Sequence, residues 1–131
     1  MATGLSGAKR MRENLRRAVE GVRAGLRDEL DAIAKELLQE SRNLAPQLSG
    51  RMIRTAGIGR RDTATRFRRS VFYRERYALF QHEGFYNAGP ITRAKPGAGR
   101  KFLQRPFEAR RRADIDRLGR RIARELRQAL R

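Results

Sequence analysis

The apolar residues Leu15, Val19, Val22, Leu26, Leu30, Ile33 and Leu37 recur in steps of four and three. This is the period of an α-helix with one apolar stripe, sustained over about six turns. Charged residues fill the other faces. Glu13 with Arg17 and Asp31 with Lys35 set acid four residues before base, the order that supports a helix. Gly21 and Gly25 weaken it. Ala45-Pro46 ends it, because the residue before a proline is pushed out of the α region. A helix near 30 residues is roughly 45 Å long. That is long for a chain of 131 residues, so one end is expected to project or to pack on a neighbouring subunit.

Beyond Pro46 the pattern changes. Pro46-Gln47-Leu48-Ser49-Gly50 reads as a turn, and Met52 to Ile58 as a strand closed by Gly57 and Gly59. Arg60 to Thr65 reads as a polar turn. Phe67 to Tyr73, rich in β-branched and aromatic residues, reads as a second strand paired with the first in a hairpin. Tyr77 to Glu83 fits a helical turn or a strand. Gly84 to Arg100, with Gly84, Gly89, Pro90, Pro96, Gly97 and Gly99, reads as a long exposed loop of the contact-making kind. Pro106 suits a first helical turn, and Ile115, Leu118, Ile122, Leu126 and Ala129 or Leu130 continue at helical spacing to the end. The chain is thus expected to be one α+β domain over residues 1–131. A long helix (about 10–45) and a C-terminal helix (about 106–130) pack on a small antiparallel sheet, with strands and loop over 46–105. Leu26, Leu30, Ile33 and Leu37 with Leu118, Ile122 and Leu126 form the expected core. Tyr77, Phe80, Phe102, Leu103 and Phe107 seat the loop and last helix.

Chemistry finds little material. There is no cysteine, hence no disulfide and no thiolate metal site. The single histidine, His82, is followed four residues later by Tyr86, not by the second histidine of a zinc protease. Lys95-Pro96-Gly97-Ala98-Gly99-Arg100-Lys101-Phe102 lacks the glycine spacing of a phosphate loop, and Phe102 stands where a magnesium-binding hydroxyl belongs. Asp28, Glu29 and Asp31 sit on one helix among basic neighbours and read as a solvated face. No catalytic residue, metal or cofactor is expected, and the chain reads as a non-enzyme. It carries no apolar run of the length that a signal peptide or a membrane span requires.

The residues that remain are basic. Lys and Arg number 32 against 14 Asp and Glu, a formal +18, and the excess lies beyond the first helix: residues 1–45 carry +2, residues 46–99 +8 and residues 100–131 +8. The excess of base over acid points to an acidic protein surface or to nucleic acid. The candidates for an interface or a DNA channel are Arg51, Arg54, Arg60, Arg61, Arg68, Arg69, Lys95, Arg100 and Lys101. No base-reading motif accompanies them, so any DNA contact would be to phosphate, without choice of sequence.

Three blocks, in order, resemble a known family. The first is Leu37-Leu38-Gln39-Glu40-Ser41-Arg42-Asn43-Leu44-Ala45-Pro46-Gln47-Leu48-Ser49-Gly50-Arg51-Met52, a helix ending in Ala-Pro followed by a Ser-Gly turn and Arg. The second is Arg69-Ser70-Val71 followed by Tyr77-Ala78-Leu79-Phe80-Gln81-His82-Glu83-Gly84. The third is Lys101-Phe102-Leu103-Gln104-Arg105-Pro106-Phe107-Glu108, which opens the last helix. Together they look like the gene-ten-like morphogenesis family of long-tailed bacteriophages. Gln47-Leu48-Ser49-Gly50 departs from its more usual Val-Asp-Thr-Gly, and Phe107 stands where a small residue is common.

What the resemblance implies is a structural virion protein of the phage neck, a head–tail connector or tail-completion protein. Such a protein is assembled in the host cytoplasm as a homo-oligomeric ring, sixfold or twelvefold, around the DNA channel. Its partners would be further copies of itself, a portal-side adaptor or stopper, and tail terminator or tail-tube proteins, with non-specific contact to packaged DNA and no membrane. A basic nucleic-acid-binding protein and a minor capsid or decoration protein stay open beside it.

Overall fold

The computed structural model describes residues 4–46, 50–75, 78–84, 92, 95 and 97–130. The apolar stripe forms a single helix, α1 (Gly4–Leu44), about 60 Å long and starting earlier than the periodicity suggests. Its end is closed from a distance. Ala45 N–H donates to Ser41 O (2.8 Å) and Gly99 N–H to Leu44 O (3.0 Å). The Lys95 ammonium donates to Arg42 O (2.9 Å) and Ala45 O (2.6 Å). A cation over the last carbonyls satisfies acceptors that the helix leaves open and complements its dipole.

Gly50, at φ 78°, turns the chain into a single helical turn, α2 (Arg51–Arg54). The strand expected from Met52 therefore begins later. Met52 and Ile53 are adjacent apolar residues, and one turn of helix brings both toward the core; a strand would send them to opposite faces. The first strand is β1 (Ala56–Asp62), and it contains Arg60 and Arg61, which the sequence assigns to a turn. It pairs antiparallel with β2 (Phe67–Tyr73), Gly57 opposite Phe72 and Arg61 opposite Arg68. Gly57 and Gly59 lie inside β1 because the Phe72 ring crosses them; a Cβ at Gly57 would stand 3.0 Å from that ring. Of the ambiguous stretch Tyr77 to Glu83, residues Ala78–Glu83 form a short helix, α3, and Tyr77 lies outside the described residues. The last helix is α4 (Gln104–Ala129). The arrangement is α+β, with both helices and a two-stranded sheet in contact around α1.

Ala18, Ala34 and Leu38 are buried along α1, and the main cluster of buried residues sits at its C-terminal end. Phe102, 1% exposed, packs with Ala45 and Met52, flanked by Leu44, Ile53, Tyr73, Ala78 and Leu103. Tyr73 meets the Phe102 ring edge-on at 5.1 Å, and its hydroxyl is hydrogen-bonded to the buried Ser41 Oγ at 2.7 Å, tying β2 to α1. The expected helix-stripe core is more open. Leu26, Leu30, Ile33, Leu37, Leu118 and Ile122 are only partly buried, and Leu126 is exposed. The side chains of Tyr77 and Phe80 lie outside the described residues.

A row of ion pairs runs along the contact between α1 and α4. Arg110 pairs with Glu36 (3.0 Å) and Glu40 (3.1 Å), Arg117 with Glu29 (2.7 Å) and Glu36, and Arg121 with Glu29 (3.3 Å). Partners descend along α1 as α4 ascends, so the helices run antiparallel. Gly25 is buried beneath α4, where a Cβ would meet Arg121 Nε and Glu125 Cγ at 2.9 Å each. The first turns of α1 extend past the end of α4. Met11 and Leu15 in these turns, and Val19 where α4 ends, are 65%, 55% and 55% exposed, although Ala18 is buried.

Candidate functional site

Three surfaces compete for a role: an apolar cavity, the basic hairpin, and the projecting part of α1. The cavity, about 510 Å³, opens between α1 (Leu30, Ile33, Ala34, Leu37), Val71 of β2, and Leu103 and Phe107 at the start of α4. Its walls are the missing part of the expected core. The stripe is present, but the elements stand too far apart to close on it, and Phe107 remains half exposed.

At the cavity rim His82 is built into the fold. Its Nδ1 lies 3.2 Å from Glu83 Oε1, and its Nε2 accepts a long hydrogen bond, 3.4 Å, from the Gln104 N–H. The tautomer with its proton on Nδ1 meets both demands. Glu83 also takes the Lys101 ammonium at 2.8 and 2.6 Å, and this hydrogen bond, with that of His82, holds its carboxyl below the usual carboxylate range. His82 therefore helps cap α4. Among the described residues no group of three or more metal-ligating side chains comes together.

The basic candidates separate by what they touch. Arg69, with a side chain only 3% exposed, donates to Asp62 (2.6 Å) and to Asp31 (2.5 Å). Hydrogen bonding to Asp62 raises its pKa; burial opposes that, and Asp31 adds to it. Arg60 shares Asp31. Arg51 pairs with Glu75 at 3.2 Å, and Arg54 is exposed on the same short helix. Lys95 is spent on the end of α1, where burial lowers its pKa. Lys101, at φ 59°, is spent on Glu83. Arg100 is exposed beside Gly84. Arg61 and Arg68 are exposed, and neither side chain has a partner among the described residues. The long loop predicted over 84–100 falls mostly outside the described residues. Those described include Lys95 and Gly99, which close α1 instead of facing outward.

Strand alternation explains the division. Arg60, Asp62, Phe67 and Arg69 face α1, where Asp31 waits and where Arg23 and Arg27 stack on Phe67 at 5.3 and 5.6 Å. Arg61 and Arg68 point the other way. The reading of Asp28, Glu29 and Asp31 as one solvated face is thereby corrected. Asp31 anchors the hairpin and Glu29 anchors α4, while Asp28 stays exposed. Burial works to raise the pKa of Glu29, but hydrogen bonds and charge from Arg117 and Arg121 outweigh it and leave it lowered. Nothing local in the sequence marks these acids as partners, since their arginines lie 38 and 88 residues away.

Among the described residues no helix is long and apolar enough to cross a membrane. Compared with protein families, curated proteins and solved structures, the chain matches none.

Proposed function

We propose that the protein is a structural component of a phage neck, a connector or tail-completion subunit that assembles as a ring. The observation that carries the reading is the projecting end of α1. Met11, Leu15 and Val19 form an apolar row at spacing four that leads from the level of buried Ala18 out along the first turns of the helix and is more than half exposed throughout. An isolated subunit gains nothing from that row, whereas a ring subunit needs side surfaces for its neighbours. The three ordered blocks resembling the gene-ten-like family support the same reading. Its partners would be further copies, portal-side adaptor or stopper proteins, and tail terminator or tail-tube proteins. The proposal contains no catalytic step, and its place is the virion, after assembly in the host cytoplasm.

Native mass measurement of the full chain, alone and mixed with tail-tube and terminator proteins, tests it. A closed assembly of about six or twelve copies is expected. Monomers under both conditions would overturn the proposal.

A further inference from the structure

Opposite arginines in the hairpin are treated in two ways. Arg60 and Arg69 are cross-strand partners on the face toward α1, and two carboxylates, Asp31 and Asp62, stand between and beside them. Arg61 and Arg68 are cross-strand partners on the other face. Like charges directly opposite one another destabilise a strand pair, and here no carboxylate among the described residues answers them.

The same face continues to the tip. Thr63 N–H donates to Arg66 O (2.8 Å), so Thr63 and Arg66 extend the register with Ala64-Thr65 as the turn. Arg61, Thr63, Arg66 and Arg68 therefore share one side. With Thr65 they line an open depression of about 330 Å³. All five are exposed, and the Arg66 side chain, too, has no partner among the described residues.

We infer that this outward face of the hairpin tip binds the phosphates of a nucleic-acid backbone, without reading base sequence. Three guanidiniums with the Thr65 hydroxyl of the turn are the donor set that phosphate oxygens take, while the Thr63 hydroxyl donates to Arg66 O (3.3 Å) and steadies the tip. The planar fork of arginine suits phosphate better than a point charge does. An acidic protein partner fits less well, because a protein interface needs an apolar centre to bury and no large apolar side chain lines this depression. The opposite face of the hairpin is occupied by α1, so the ribbon lies along the backbone and does not enter a groove. The inference rests on the unanswered Arg61–Arg68 pair and is independent of ring formation.

The test measures binding of a labelled mixed-sequence 20-base-pair duplex to the full chain across a salt series, for wild type, R61Q/R66Q/R68Q and R111Q/R112Q/R120Q. The second variant removes equal charge from exposed α4 arginines that have no partner among the described residues. Losing three phosphate contacts should flatten the slope of log affinity against log salt by about 2 to 3. Affinity near 0.1 M salt should fall at least about tenfold, against less than about threefold for the α4 variant. Equal losses in the two variants would reduce the site to general charge and overturn it. So would undetectable binding by wild type at low salt. Polyglutamate binding as tightly as the duplex, with the same loss in the hairpin variant, would assign the face to an acidic protein instead. Mass measurement on the same samples keeps the two proposals apart. A ring that ignores the duplex overturns only this inference, and a monomer that binds it overturns only the ring.

Discussion

Glycines show how far a single residue can be read from sequence. Gly25 and Gly119 both look like weak points in helices, worth roughly 1 kcal/mol each relative to alanine. The structure separates them. Gly119 has nothing within 4 Å of a would-be Cβ, whereas Gly25 lies under Arg121 and Glu125. Gly119→Ala is expected to stabilise by about 0.5–1 kcal/mol in urea unfolding. Gly25→Ala should bring no such gain, and equal stabilisation by both would refute the close approach of α4. Phe102 carries the opposite lesson. The sequence places it in packing, but nothing in its neighbourhood says that it is the centre of the core, touching Tyr73 and His82 edge-on at 5.1 and 5.2 Å. Phe102→Ala should cost about 3–5 kcal/mol, read from the same unfolding curves. Arg60 and Arg61, adjacent and alike in sequence, differ as probes. Reversing the charge of Arg60 sets a carboxylate against Asp31, so it disturbs the hairpin-to-helix joint as well as any partner.

The helices and the hairpin were legible as elements because periodicity and proline punctuation are local signals. What joins α1 to α4 was not. Hydrophobic stripes predict an apolar seam, yet Glu29, Glu36 and Glu40 face Arg110, Arg117 and Arg121. Pairing of this kind has no signature in a sequence already crowded with arginine. It does have a pH signature. The carboxyls of Glu29 and Glu36 are held below the usual carboxylate range in the fold, Glu36 chiefly by its hydrogen bond from Arg117. The unfolded chain therefore takes up protons first as pH falls. The stability they contribute is present above about pH 4.5 and is lost as pH drops through their lower folded values. A melting series from pH 7 to 3 should show that decline, and E29Q/E36Q should start lower at pH 7 and fall less steeply. Parallel curves would mean that the seam pairs contribute no stability.

For the molecule as a whole, the folded part and the projecting part should come apart experimentally. Leu15→Glu with Val19→Glu alters residues that are more than half exposed, so the melting temperature should hold within a few degrees. The assembly seen by mass measurement should be lost. Survival of the full assembly would move the ring interface elsewhere.

The charged seam also bears on the order of events while the chain is being made. Arg117 follows Glu29 by 88 residues. At a synthesis rate of about 5–20 residues per second, the acidic row of α1 stands open for roughly 4–18 s before its partner leaves the ribosome. An apolar seam left uncovered for that time is an invitation to aggregate. A row of carboxylates stays hydrated while it waits and flanks the apolar stripe of α1 with charge, and the docking of α4 is a late step, made by long-range pairs.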